Sequence, residues 1–306
     1  MRNMFANTIY EAAKKDPRLC MVVADISPAG SMEKFRQEYP ERFINVGVAE
    51  QIMIGLCAGM AMRGLRPFAY TIATFTFYRP FEFVRDDLCY QDLPVTIVGI
   101  GGGVTYSTLG STHHAQEDVA VARAIPNFQV IAPCDPEEAK AAALWCAGHN
   151  EHPTYLRLGK AGEPILTAKA PDPWVFGKLR KIKEGSSTCI IGYGTILKMG
   201  MELAAKLEEK GESTAVVSLH TVKPLDVEGL SKILAKYRRV IVLEEMSPNG
   251  SIGKEVKALA YDSGSKAKVH SFSLQDEFIH CYGKLEDLLA AHGLSLDAIL
   301  KRLEHD

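Results

Sequence analysis

Short apolar runs of strand length alternate with stretches of helical periodicity along nearly all of this 306-residue chain, and that rhythm leaves few folds open. Residues 4–15 read as a helix, 20–26 as a strand carrying Asp25 near its end, 50–63 as an almost wholly apolar helix and 67–73 as a strand. A helix over 77–91, a strand over 95–100, a glycine-rich loop to about 116, a strand at 129–133, an alanine-rich helix at 136–147 and a strand at 153–158 follow. The apolar runs are continuous rather than alternating with polar residues. Strands of that kind are buried on both faces, which means a parallel sheet covered by helices on each side.

Residues 161–180 break the rhythm with prolines and glycines, as a linker does. It then resumes with strands at 188–194, 214–220, 240–245 and 268–274, a helix between each pair, and two closing helices. The expectation is an α/β chain of two doubly wound domains with separate cores. A larger domain with a mostly parallel sheet covers 1–160, and a smaller one covers 181–306.

A net charge of −2, with 47% hydrophobic and 24% charged residues, provides no field to draw the chain to nucleic acid or anionic lipid. The N-terminus has no apolar stretch of signal-peptide length and no run is long enough to span a bilayer. The seven scattered cysteines include no C-x-x-C pair. Together these point to a reduced, cytoplasmic protein with small-molecule or protein partners.

Three segments carry chemistry. In FINVGVAEQ (43–51), Glu50 opens the apolar helix. It can serve simply as a helix-start carboxylate facing the positive end of the dipole, or as a buried acid/base, since desolvation disfavours the charged form of a carboxyl. In TFTFYRPFEF (74–83), Phe75, Tyr78 and Phe81 either fill a core or line a slot for a flat heteroaromatic ring. In GGGVTYSTLGSTHHAQED (101–118), the glycines permit close backbone approach, yet the spacing fits neither a dinucleotide fingerprint nor a P-loop. His113 and His114 lack the partners of a zinc motif, so a loop histidine acting on substrate hydroxyls or a carbonyl is the better functional reading.

In this order, GVAEQ, TFTF and GSTHH resemble the pyrimidine-binding domain shared by transketolase, 1-deoxyxylulose-5-phosphate synthase and the beta subunits of 2-oxo acid dehydrogenases. VVSLHTVKPLD (216–226) and VIVLEEMSPNGSIGKEV (240–256) resemble the C-terminal domain that follows in those enzymes, so the likeness covers essentially the whole chain. It implies thiamine diphosphate as cofactor. Glu50 would hydrogen-bond N1′ of the aminopyrimidine, Phe75, Tyr78 and Phe81 would hold that ring, and Asp25 would lie near it. His113 would contact the substrate, and Arg2 and Arg157 would grip a sugar phosphate through arginine's fork.

The resemblance also implies something missing. The family anchors the cofactor diphosphate through a divalent cation held by a Gly-Asp-Gly segment and a later asparagine, and this chain has no Gly-Asp dipeptide. Mg2+ or another divalent cation would therefore be held by a partner subunit, an N-terminal transketolase chain carrying that motif, in an α2β2 assembly. The expected activity is transfer of a two-carbon ketol unit between small sugars. Ala29, the Gly101–Gly103 run and Leu109 stand where the family has a serine, a histidine and an aspartate that read the sugar phosphate and a hydroxyl. The substrate would then be a modified sugar: branched, deoxy or sulfonated. Two alternatives share the fold: a 2-oxo acid dehydrogenase beta subunit, which hands an acyl group to lipoamide, and a non-catalytic regulatory subunit.

Overall fold

The computed structural model describes residues 1–25, 31–149 and 151–304; Ala29 lies outside them. Among the described residues twelve strands form two sheets. The first half of the chain supplies β1 (Leu19–Val23), β2 (Phe43–Asn45), β3 (Arg66–Ile72), β4 (Thr96–Ile100), β5 (Gln129–Ile131) and β6 (Thr154–Leu158). The second half supplies β7 (Arg180–Lys183), β8 (Thr188–Gly192), β9 (Thr214–Ser218), β10 (Thr221–Lys223), β11 (Arg239–Leu243) and β12 (Lys268–Phe272). The larger sheet runs β10-β5-β6-β4-β3-β1-β2 and the smaller β12-β11-β8-β9-β7. All neighbours are parallel except the antiparallel pairs β10 with β5 and β7 with β9.

The continuous apolar runs behave as their composition requires. Along β1, Leu19, Met21 and Val23 join the cluster on one face of the larger sheet while Val22 joins the cluster on the other. On β4 the same alternation sends Val98 and Ile100 one way and Ile97 the other. Helices Arg2–Ala13 and Pro136–His149 cover the first face, and Glu50–Met62 covers the second. Both faces are sealed, the doubly wound arrangement expected from the sequence.

Three features differ from the sequence reading. The apolar strand expected over 214–220 ends at Ser218, and the chain then crosses to the larger sheet, where β10 pairs with β5. The expected separation of cores fails with it: one apolar cluster runs through both sheets, joining Val119 and Phe128 of the first half to Leu219, Val222, Met246 and Ile252 of the second. The helix expected over 77–91 is broken into Ala73–Phe77, Phe81–Phe83 and a π-helical segment Val84–Tyr90. Pro80 is the cause: it has no N–H to donate and disfavours helical backbone in the residue before it, so Arg79 falls in a turn. Among the described residues no helix is long and apolar enough to cross a membrane.

Candidate active site

The carboxyl ends of β1, β2, β3 and β4 converge at one end of the larger sheet, where α/β folds bind ligands. After β1, Asp25 adopts a left-handed backbone at φ 43°, and its N–H donates to Asn45 Oδ1 at 3.1 Å. The same oxygen accepts from the Gly47 N–H at 2.9 Å, so Asn45 at the end of β2 ties the two loops together just ahead of Glu50. Glu50 then begins the helix Glu50–Met62, whose N-terminal residue Ala49 has no capping side chain. The Glu50 carboxylate therefore sits at the positive end of an otherwise uncapped helix.

That carboxylate is only 2% exposed. Arg79, from the turn ahead of Pro80, donates to both of its oxygens, at 2.9 and 3.1 Å. The Arg79 guanidinium also lies over the Phe75 ring, 4.1 Å from its centroid. His113 meets the same ring edge-on at 5.2 Å, and its Nδ1 is 3.0 Å from Thr112 Oγ1. Burial, and then the nearby Arg79 cation, pull the His113 imidazole below the ordinary histidine value, so it is neutral near pH 7 and able to accept or donate a hydrogen bond. Glu50, Phe75 and His113 are thus brought together around the Arg79 guanidinium. Tyr78 turns aside, its hydroxyl donating to Glu117 Oε2 at 2.8 Å, and Phe81 begins the next short helix, half-exposed. Leu109 lies exposed in the loop carrying His113.

That loop is packed from both halves of the chain. Gly101 and Gly103 have φ of +74° and +68°; a side chain at the first would strike the Tyr106 ring, and one at the second the Glu245 carboxyl. Glu245 accepts from the Val104 N–H at 2.7 Å, and the Ser111 hydroxyl donates to the Ile279 carbonyl, so the second half pins the loop at its base and tip. Tyr106 stands 6.4 Å from His113, with Lys160 Nζ 5.1 Å from its ring. Arg2 lies near enough to act electrostatically on Tyr70 and Tyr106, and its buried Nε has no hydrogen-bond partner among the described residues.

Arg157 departs from the phosphate-gripping place expected of it. It is 4% exposed, its Nε donates to Asp118 Oδ2 at 2.8 Å, and the Tyr155 hydroxyl donates to the same oxygen at 2.8 Å. Its stem fills the space beside Gly102, where an added Cβ would stand 2.6 Å from Nε. The reason is strand periodicity: Tyr155 and Arg157 share one face of β6, and that face looks onto Asp118 and the second half of the chain. Three functional groups escaped the sequence reading: Asn45, Glu245 and Arg79. Arg79 alone carried a visible signal, as the one charge among aromatic residues at 74–81.

Comparison with known proteins accords with this geometry. Residues 1–162 match the transketolase pyrimidine binding domain and 177–299 the transketolase C-terminal domain. The chain is 31% identical over 300 residues to one subunit of the apulose-4-phosphate transketolase of Phocaeicola vulgatus, covering 98% of this chain and 95% of that one. It is 33% identical over 304 residues to a putative transketolase C-terminal section of Methanocaldococcus jannaschii, covering 99% and 95%. Among solved structures it superposes at TM-score 0.87 and 29% identity on a split gene transketolase described as an inactive beta4 tetramer, covering 99% of this chain and 97% of that one. The chain belongs to the transketolase family, as a subunit made of its pyrimidine-binding and C-terminal domains.

Proposed function

We propose that this chain is the aminopyrimidine-activating subunit of a heteromeric, thiamine-diphosphate-dependent transketolase. The carrying observation is the convergence of the buried Glu50 carboxylate, the Phe75 ring and the neutral His113 on the Arg79 guanidinium. The donor set fits the cofactor's pyrimidine: a flat ring can stack on Phe75 while its ring nitrogen meets Glu50. Bound there, the cofactor would supply the chemistry that cleaves and forms the bond beside a ketose carbonyl. Glu50 holds and shares the proton at N1′. His113, neutral at working pH, hydrogen-bonds the substrate carbonyl or hydroxyl. In this reading Asp25 and Phe81 would lie near the pyrimidine ring, while Tyr78 is turned to Glu117.

A partner subunit completes the site. In this reading the diphosphate and its divalent cation belong to an N-terminal chain with the Gly-Asp-Gly and asparagine motif, in an α2β2 assembly. The surface next to Glu50 supports that. Ile52 is 63% exposed and a Cβ at Gly59 would meet nothing within 4 Å, leaving an apolar helix face with room for close packing, and Val48 in the turn ahead of the helix is 68% exposed. That face runs directly on from the cofactor space.

The substrate is a small sugar bearing an anionic group at its end, and Arg2, whose buried Nε has no partner among the described residues, would bind that group. Arg157 is assigned to the Asp118 ion pair instead. The relative named for apulose 4-phosphate supports a sugar other than the usual pentose phosphates. Co-expression with the N-terminal chain, followed by a screen of ketose donors against aldose acceptors, tests this. The proposal expects two-carbon ketol transfer that needs both chains. Transfer of an acyl group to lipoamide would assign the complex to the 2-oxo acid dehydrogenases. Full efficiency on xylulose 5-phosphate with ribose 5-phosphate would show that Gly101 and Leu109 do not alter specificity.

A further inference from the structure

Arg79 occupies the place that the proposed function gives to the aminopyrimidine. Its guanidinium is stacked 4.1 Å from the Phe75 centroid and donates to both Glu50 oxygens at 2.9 and 3.1 Å. A guanidinium and an aminopyrimidine present the same features to such a slot: a flat conjugated face for an arene, and an edge that hydrogen-bonds a carboxyl. They are alternatives, because one face of Phe75 and one carboxyl cannot serve both.

The local structure makes the exchange feasible. Arg79 belongs to the turn between Ala73–Phe77 and Phe81–Phe83, and its side chain is 42% exposed while Glu50 is 2% exposed. The guanidinium can swing outward by side-chain rotation without disturbing the helix that holds Glu50. Its departure also changes the neighbourhood of His113, on which the Arg79 charge acts.

We propose that Arg79 is a built-in stand-in for the aminopyrimidine, closing over Glu50 and Phe75 in the chain by itself and leaving as the cofactor's ring enters. The inference rests on the cofactor-slot reading above. It assigns Arg79 a positioning role: it fills the slot in the cofactor's place and sets a threshold that the cofactor must overcome.

The test uses the full chain and a probe with the pyrimidine alone, 4-amino-5-hydroxymethyl-2-methylpyrimidine, titrated by calorimetry into wild type, Arg79→Gln, Arg79→Lys and Glu50→Gln. Displacing a half-exposed ion pair and a cation–π contact corresponds to about tenfold in a binding constant. Arg79→Gln is therefore expected to bind the probe about tenfold more tightly than wild type. Arg79→Lys, which keeps the charge and loses the flat stack, should fall between them, and Glu50→Gln should bind least. In parallel, NMR titration of His113 should move upward in Arg79→Gln. Equal or weaker binding by Arg79→Gln, with binding still dependent on Glu50, would overturn the inference and leave the cofactor slot intact. Binding unaffected by Glu50→Gln, or absent from all four proteins, would overturn the slot reading and the inference with it.

Discussion

Replacing Arg157 with methionine separates its two roles, a substrate grip expected from the sequence and an interior ion pair found in the structure. The side chains of Arg157 and Asp118 are 3% and 0% exposed and 2.8 Å apart, and Asp118 Oδ1 already lacks a hydrogen-bond partner among the described residues. Methionine fills much of the volume but leaves the carboxylate buried without its cation, a defect that costs about 3–5 kcal/mol. Against a total stability of about 5–15 kcal/mol this is a large fraction. At roughly 2–4 °C per kcal/mol for a chain this long, the melting temperature should fall by roughly 10 °C or more. Circular dichroism melts and urea midpoints on the isolated chain measure it without any substrate. Asp118→Asn combined with Arg157→Met should recover more than half of the loss, because the stranded charge is gone. A melting temperature within about 2 °C of wild type would refute the reasoning. If the KM for an anionic sugar rose as well, Arg157 would return to the substrate site.

Two further outcomes follow from burial. His220, stacked on Trp174 at 4.8 Å, is pulled down to about 3 by burial, with the Arg180 cation adding to the effect. The unfolded chain takes up this proton below the ordinary value of about 6.5 and the folded chain does not until about 3. Stability from this site is thus complete above 6.5 and declines as pH falls toward 3, by about 1.4 kcal/mol per pH unit. His220→Asn should flatten the dependence of urea midpoints on pH between 6.5 and 4.5; an unchanged slope would show that another group governs it. All seven cysteines are unpaired, six buried and Cys281 exposed. Burial pushes the Cys20, Cys89, Cys146 and Cys189 thiols up to about 12. A thiol reagent should find one fast group in the native chain and all seven in denaturant, and several fast groups without denaturant would contradict the packing.

How much of this was legible beforehand depends on whether a residue's role was local. The strands with unbroken apolar runs, such as β4 and β8, announced burial on both faces, and the doubly wound fold followed. Glu50 stood out because the helix it opens has no other charge. Pro80 also gave a local signal that the run from 77 to 91 could not remain one helix, and the aromatic periodicity masked it. Other features are decided only in three dimensions. The strand β10 has three residues, one of them lysine, and exists because β5 offers it an edge. Arg157 is read as a phosphate ligand or an interior cation according to which face of β6 it takes, and Asp118, its ion-pair partner, lies 39 residues away. Glu245 holds the His113 loop from 141 residues downstream, a distance no motif spans.

In the proposed function Glu50 activates the cofactor's pyrimidine. The most direct measurement of that step needs no knowledge of the sugar: the rate at which the C2 proton of bound thiamine diphosphate exchanges with deuterium in the complex with the N-terminal subunit, followed by acid quench and NMR. With Glu50→Gln the proton at N1′ can no longer be shared, and exchange should slow by about 10²-fold or more, in line with the loss of a general acid–base group. Exchange in Glu50→Gln at the wild-type rate, with the cofactor bound as tightly as before, would contradict the assignment.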